Sequence, residues 1–245
     1  MSKRRVGLFA ALIAAVAALL FISSGCGGGV TKSGGLETLD GPAILAKAKA
    51  AASRATSVHI KVTQVSKGTT SVSDVAFSGG ASTGTFDTEA GTFSLTIVGD
   101  TIYVRADDSF AKELLAPAYT SAIAATIKGK YISGPTTNAY LGSLNQFSDM
   151  SSVLSTILSP SGTVTPLGPK AIDGIDTVGI VAKKNGTESG SLYVANDGTD
   201  LPVSLVSAAT ATTTGSVRFD KWGTVPAISA PPADQVIAIA SLKLG

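Results

Sequence analysis

Two short patterns in the chain place a serine where a nucleophile could act. The first is Gly-Ala-Ser-Thr-Gly at residues 80–84, which matches the G-x-S-x-G turn of hydrolases with Ser82 as the nucleophile. That turn requires a strand before it, a helix after it and a histidine later in the chain. Here a strand pattern follows, and the single histidine, His59, precedes the motif. The sequence therefore predicts that Ser82 is an ordinary turn residue.

The second pattern pairs a serine with a lysine three residues later. Ser109 and Lys112 match S-x-x-K, and Ser-Leu-Asn at residues 143–145 resembles a second motif of the same acyl-enzymes. Those enzymes also use a downstream K-[ST]-G strand, whereas the only such triplet in this chain is residues 32–34. We therefore expect no catalytic residue in this pattern.

Side chains that bind metals are scarce. The chain has one histidine and one cysteine, and its 17 Asp and Glu residues form no cluster with metal-ligand spacing. His59 alternates with apolar neighbours, which predicts a strand residue that faces solvent. With neither a catalytic set nor a metal-ligand set, the sequence predicts a protein that is not an enzyme and uses no cofactor.

The one cysteine follows an N-terminal targeting signal. Three cations among the first five residues precede an apolar stretch at residues 6–22, and small residues then lead to Cys26. This order is typical of a secretory signal peptide, and Ser-Ser-Gly-Cys at 23–26 resembles a bacterial lipobox, whose cysteine is lipidated. We expect a lipoprotein signal peptide over residues 1–25 and a diacylglyceryl anchor on Cys26. An uncleaved membrane helix is the alternative, but the apolar stretch is shorter than the roughly 20 residues that a span needs.

Composition limits what the mature chain can be. Of the 245 residues, 44% are apolar and 15% are charged, which is enough apolar material for a sizeable core. A single cysteine excludes an internal disulfide. The formal net charge of +2 belongs to the signal, because without its three cations the Lys and Arg count falls from 19 to 16, against 17 Asp and Glu. No basic block remains, so no nucleic acid partner is expected.

The start of the mature chain has the pattern of a tether followed by a helix. Residues 26–39 are rich in glycine and predict a flexible tether, and residues 40–245 are expected to form a single domain. Asp40 and Pro42 are typical of a helix start, and apolar residues at helical spacing predict a helix that ends near Arg54. From Ser57 onward the apolar period changes to two, which predicts an antiparallel meander.

Helical segments then interrupt the strands. Residues 109–128 have helical spacing but contain Pro117, which predicts two short helices or a helix and a loop. Residues 144–158 predict a further helix. Alternating strands resume and continue to Lys221, with turn signals such as Asn185-Gly186 between them. About nine to ten strands with segregated helices predict an α+β fold.

Several short segments occur in an order and at spacings that are typical of one family. They are residues 57–60, 99–104, 172–177, 192–203, 219–223 and 231–232. In this order and spacing the chain resembles the LppX/LprAFG group of actinobacterial envelope lipoproteins, and the match extends over nearly all of residues 40–235. The fold of that group is similar to that of the lipoprotein carriers LolA and LolB.

The resemblance implies a strongly curved antiparallel sheet, a half-barrel, with helices across its concave face. Between the sheet and the helices, the family encloses an apolar cavity for the acyl chains of lipids, glycolipids or lipoglycans. The implied function is to bind and carry such lipids in the bacterial envelope. The protein would act at the extracytoplasmic face of the cell membrane, held there by lipidated Cys26.

The candidate lining of this cavity is the apolar set on the alternating strands and the mid-chain helices. It comprises Ile60, Val62, Phe93, Leu95, Ile97, Ile102, Val104, Leu114, Leu115, Ile123, Ile127, Phe147, Val153, Leu154 and Ile157. The same residues could instead pack on one another as a closed core, because patterning specifies an apolar face and not a void. The alternative function is then a non-enzymatic envelope ectodomain that binds a protein partner.

Overall fold

The computed structural model describes residues 34–210 and 213–244. The predicted signal peptide, Cys26 and residues 26–33 of the predicted tether lie outside this part of the chain. The helices are α1 (Gly41–Arg54), α2 (Asp108–Leu114), α3 (Ser121–Ile127) and α4 (Met150–Ile157). Short 3-10 helices cover Leu36–Thr38, Gly142–Phe147, Ala233–Gln235 and Ile239–Leu242. Within the described residues, no helix has the length and apolarity that crossing a bilayer requires.

The described chain contains twelve strands. They are β1 (Ser57–Ser66), β2 (Thr69–Ser78), β3 (Ala81–Thr88), β4 (Gly91–Val98), β5 (Thr101–Ala106), β6 (Tyr131–Pro135), β7 (Thr163–Ile172), β8 (Ile175–Lys184), β9 (Thr187–Ala195), β10 (Pro202–Ser207), β11 (Thr213–Asp220) and β12 (Val236–Ala238). The α+β class is confirmed, but the predicted count of nine to ten strands was too low. Strands β6 and β12 have only five and three residues, too few for a clear alternating pattern.

The described residues form two compact units, and β1 contributes residues to both. The first unit contains the residues up to Ala55, residues 62–69 and residues 154–220. Its strands β7 to β11 pair as consecutive antiparallel neighbours. Such a meander is what the short loops between these strands favour, since antiparallel neighbours need only a tight turn.

Helix α1 packs on β7 and β8 in the first unit. The Asp40 side chain accepts a hydrogen bond from the backbone N–H of Ala43 at 2.8 Å and caps the helix. Gly41 lies so close to β7 that a Cβ there would be 2.5 Å from the carbonyl oxygen of Val164. Helix α1 therefore begins in direct backbone contact with the strand, which only glycine permits.

Part of the predicted tether belongs to this unit. The backbone N–H of Gly34 donates to the carbonyl of Asn196 at 2.7 Å, and that of Leu36 donates to the Asn196 side chain at 3.1 Å. The Leu36 side chain is fully buried. The described part of the predicted tether, from Gly34 onward, is therefore held in contact with the first unit.

The second unit contains residues 56–61, 70–153 and those from Lys221 onward. Its strand order is β12-β6-β5-β4-β3-β2, antiparallel except that β12 runs parallel to β6. Helices α2 and α3 lie between β5 and β6 in the chain. The break predicted at Pro117 is confirmed, since α2 ends at Leu114 and α3 begins at Ser121.

The prediction of one continuous helix over residues 144–158 was wrong, because the structure has two helical segments there. The segment divides into the 3-10 helix Gly142–Phe147 and helix α4. Asp149 separates them, because its carboxylate accepts from the backbone N–H of Ser151 at 2.9 Å and from the Ser152 hydroxyl at 2.6 Å. A carboxylate with these contacts starts a new helix and ends the preceding one.

Candidate functional site

A continuous apolar face runs across strands β2 to β6 of the second unit. The register places side chains from neighbouring strands side by side on the same face of a sheet. One row is Phe77, Ser82, Ile97 and Ile102; the next is Val75, Gly84, Leu95, Val104 and Ile132; the third is Ser73, Phe86, Phe93 and Ala106. Nearly all of these side chains are buried. We call this surface the apolar face.

Four phenylalanines join the apolar face to the helical segments. The Phe86 ring stacks on that of Phe93 with centroids 4.5 Å apart, and the Phe93 ring lies 4.0 Å from that of Phe110 on α2. The Phe147 ring from the 3-10 helix is 4.7 Å from that of Phe86 and tilted by 54°. Offset and tilted ring pairs of this kind stabilise by about 0.5–1.5 kcal/mol each beyond their buried area. Ring contacts therefore join α2 and the 3-10 helix Gly142–Phe147 to the face.

Asp107 fixes the point where α2 leaves the strands. Its carboxylate accepts from the backbone N–H of Phe110 at 2.8 Å, and from the backbone N–H and the hydroxyl of Thr92 at 2.7 and 3.0 Å. Partial burial alone would raise the pKa of Asp107, but the hydrogen bonds from Phe110 and Thr92 outweigh it and lower the pKa below its ordinary value. The carboxylate thus ties the first turn of α2 to β4.

Most of the predicted lining residues are buried. The buried members in the second unit are Ile60, Phe93, Leu95, Ile97, Ile102, Val104, Leu114, Leu115, Ile127 and Phe147. Ile123 and Val153 belong to the same unit and are half-buried. Val62, Leu154 and Ile157 belong to the first unit, where Leu154 is buried and the other two are half-buried. The structure therefore brings the members of the set on β4 and β5 together on the apolar face.

Sequence reasoning missed residues that contribute directly to this face. Phe86 and Phe110 are absent from the predicted set, although both are buried and take part in the ring stack. Phe86 is the only large apolar residue of β3, so no alternation marks it. Phe110 lies in a segment whose apolar residues have helical spacing, so the helix was predicted. Its contact with Phe93 depends on how α2 packs on the strands, which the spacing of apolar residues does not show.

Ser82 does not lie in a turn, so that prediction was wrong. The turn before β3 is formed by Gly79 and Gly80, which both have positive φ, and Ser82 is the second residue of β3 with 0% of its surface exposed. Among the described residues, no group of three or more His, Cys, Asp or Glu side chains could hold a metal ion.

A pocket lies on the side of the strands opposite the apolar face. It has a volume of about 370 Å³ and is lined by His59, Ala76, Thr83, Lys221 and residues 225–229. The residues on the strands alternate with buried neighbours, which is why they face away from the core. His59 was expected to face solvent, but it is half-buried with its Nε2 2.6 Å from Oδ1 of Asp74. Both His59 and Asp74 belong to the second unit, and His59 makes one side of the pocket polar.

Neither a protein-family model nor a curated protein matches the sequence. Among solved structures, LprF from Mycobacterium bovis is similar over 77% of this chain and 95% of LprF, with 16% identity and a TM-score of 0.50. The chain shares the fold of LprF. The lipoprotein LppX from Mycobacterium tuberculosis aligns over 77% of this chain and 99% of LppX, with 19% identity and a TM-score of 0.45. A LolA superfamily protein from Nitrosomonas europaea aligns over 74% and 92%, with 10% identity and a TM-score of 0.25.

The structural likeness agrees with the resemblance found in the sequence. LppX and LprF are among the top structural neighbours of this chain, as the order of the short segments indicated. At 16% identity the LprF likeness concerns the fold and not the ligand. The function therefore has to be inferred from the apolar face.

Proposed function

We propose that this protein is a lipid-anchored envelope lipoprotein that binds and carries lipids or glycolipids against its apolar face. The observation that carries the proposal is the predominantly apolar face that extends over five strands of the second unit, contacted by short helical segments through ring stacking. An acyl chain binds by apolar transfer, at about 0.8 kcal/mol for each buried CH₂ group. A long apolar face supplies that energy without any catalytic group, so the proposed protein is not an enzyme.

Helix α2, which contacts the apolar face, is suited to move. It has seven residues, and a helix this short is not stable without tertiary contacts. Its most specific contacts with the strands are the Phe110 stack and the Asp107 hydrogen bonds. An acyl chain that replaced the Phe110 and Phe147 rings would restore apolar contact to the same face. In this proposal, the cavity implied by the resemblance opens between the apolar face and α2 as α2 shifts.

Copurification tests this function. The full chain, purified as an actinobacterial host processes it, should retain lipids that mass spectrometry detects after extraction. A Phe93→Trp variant, which overfills the face, should retain less lipid, while the same substitution at Phe219 on β11 of the first unit should not. Consistent absence of lipid from the unaltered protein would contradict the proposal.

The anchor is a separate part of the proposal. Residues 1–25 would be removed and Cys26 would carry the diacylglyceryl group, with the domain displayed outside the cell membrane. Cys26→Ser should abolish metabolic incorporation of labelled fatty acid and move the protein out of the membrane fraction. Unchanged labelling of this variant would show that the attachment point lies elsewhere.

A second candidate is a closed ectodomain that binds an envelope protein. The tight contact of Phe110 with Phe93 and the near-complete burial of the apolar face favour it, because a face already filled by its own helices needs no lipid. In that case the purified protein would be free of lipid, and crosslinking in the envelope would capture a protein partner reproducibly.

A further inference from the structure

Two hydroxyl groups on the apolar face have no hydrogen-bond partner among the described residues. They are the side chains of Ser73 on β2 and Ser82 on β3. Ser73 is 4% exposed and Ser82 is 0% exposed, so water does not satisfy them. Ser82 stands between Phe77 and Ile97 in its row, and Ser73 stands beside Phe86. Both hydroxyls therefore lie within the apolar surface that the proposed function assigns to lipid.

Several other buried hydroxyls in the described chain are bonded. The Ser57 hydroxyl accepts from the backbone N–H of Val225 at 3.1 Å, and the Ser207 hydroxyl donates to the carbonyl of Gly215 at 2.9 Å. The Thr177 hydroxyl donates to the carbonyl of Lys170 at 2.5 Å. Bonding is the general rule for buried polar groups in native proteins. The unpaired hydroxyls of Ser73 and Ser82 lie on the same face of neighbouring strands, whereas the third unpaired buried atom, Oδ1 of Asp200, belongs to a carboxylate whose other oxygen accepts from Lys47 at 3.0 Å.

Small size alone does not account for serine at these two positions. If neighbouring rings required only a small side chain, alanine would fill the space without burying an unpaired hydroxyl, which is unfavourable. An unpaired buried hydroxyl destabilises the ligand-free protein, but this cost disappears in the complex if a group of the ligand forms a hydrogen bond with it. The two serines thus have the properties expected of contacts that are completed by a ligand.

We propose that Ser73 and Ser82 are hydrogen-bond positions for oxygen atoms of the bound lipid. This inference rests on the proposed function. A serine hydroxyl donates to an ester carbonyl or a lipid hydroxyl, neither of which a plain hydrocarbon chain possesses. The substrate class is therefore an acyl ester or a hydroxylated acyl lipid.

The register also sets the spacing of the two positions. Ser82 is paired with Phe77, which is four residues from Ser73 along β2. At about 3.4 Å per residue, the two hydroxyls are separated by roughly 14 Å along the strand direction. One ester group cannot reach both, so each serine contacts a different oxygen. A lipid with oxygen-bearing groups at two places along its apolar part fits this arrangement best.

A competition experiment tests this inference. The full chain, purified as the host processes it and stripped of lipid by detergent exchange, is equilibrated with equal amounts of methyl palmitate and octadecane in detergent solution. Gas chromatography with mass spectrometry measures the ratio of ester to hydrocarbon that the protein retains. Ser82→Ala is the test variant, Ser73→Ala is the second, and Ser207→Ala is the matched control, because its hydroxyl is buried but already bonded.

At least one of the two test variants should lower the ester-to-hydrocarbon ratio by about three- to tenfold, the loss expected for one hydrogen bond, because the single ester of methyl palmitate reaches one serine at a time. Ser207→Ala should leave the ratio unchanged. In the lipid-free protein, Ser82→Ala should raise the melting temperature by about 2–4 °C, since an unpaired buried hydroxyl is removed. Ser207→Ala should lower it, because a made hydrogen bond is lost.

Two results would overturn the serine contacts while leaving lipid binding intact. One is retention of both probes with a ratio that neither Ser82→Ala nor Ser73→Ala changes. The other is a fall in melting temperature for Ser82→Ala as large as that for Ser207→Ala, which would show that the hydroxyl is bonded within the protein. Retention of neither probe by the unaltered chain would overturn the proposed function, and the serine contacts with it.

Discussion

Replacing Phe110 by alanine would separate the role of α2 as a cover of the apolar face from its role in stability. The Phe110 side chain is 2% exposed, and its ring stacks on Phe93 at 4.0 Å with the planes 20° apart. Truncation of a buried phenylalanine to alanine typically lowers the free energy of unfolding by about 3–5 kcal/mol through lost transfer energy and the remaining cavity. We expect a value in this range for Phe110→Ala.

The same substitution should also change lipid exchange, since it removes the main contact between α2 and the apolar face. We expect faster release of a fluorescent fatty acid from Phe110→Ala, measured by stopped-flow transfer to acceptor vesicles. Phe219→Ala is the matched control, because Phe219 is also 2% exposed but lies on β11 of the first unit. It should be destabilised to a similar extent in urea unfolding without faster release.

Two results would refute this reasoning. A loss of less than about 1 kcal/mol for Phe110→Ala would show that the ring is not packed as the structure has it. Equal acceleration of release in Phe110→Ala and Phe219→Ala would show that release follows overall stability and not the position of α2.

Two further predictions concern the residues that fix helix starts. Asp107→Ala should lower the free energy of unfolding by about 1 kcal/mol through the lost cap of α2, as urea unfolding at neutral pH would show. The pKa of Asp107 is lowered in the folded state. The contribution of its carboxylate to the free energy of unfolding is therefore present above the ordinary aspartate pKa of 3.8, and it is lost as the pH falls through the lower pKa of the folded state. The difference between Asp107→Ala and the unaltered protein should therefore disappear in strong acid, and a constant difference down to that pH would contradict the assignment. Gly41→Ala places a Cβ 2.5 Å from the carbonyl oxygen of Val164, so it should cost about 1–3 kcal/mol; an unchanged melting temperature in calorimetry would show that α1 and β7 can separate freely.

The parts of the fold that follow from local pattern were predictable. Alternation at Phe93, Leu95 and Ile97 placed β4, and the same pattern at Ile102 and Val104 placed β5. Pro117 correctly divided the first helical segment because proline cannot occupy a helix interior. These features depend only on residues near one another in the chain.

The parts that depend on partners distant in sequence were not predictable. The burial of Leu36 requires the first unit around it, and glycines on either side made the segment look like a free tether. The position of Ser82 was predicted wrongly because the turn is formed by Gly79 and Gly80, so that β3 already begins at the second residue of the motif, Ala81. The missing partners of the Ser73 and Ser82 hydroxyls emerge only once the strand register is known.

Photolabelling of the full chain with a diazirine-bearing fatty acid, followed by peptide mapping, tests the central claim most directly. If the apolar face binds lipid, adducts should concentrate on β4, β5 and α2, and unlabelled methyl palmitate should suppress them. The pocket beside Ala76 and Thr83 on the opposite side provides the internal comparison. Labelling confined to that pocket, or equally distributed over the surface, would contradict the account.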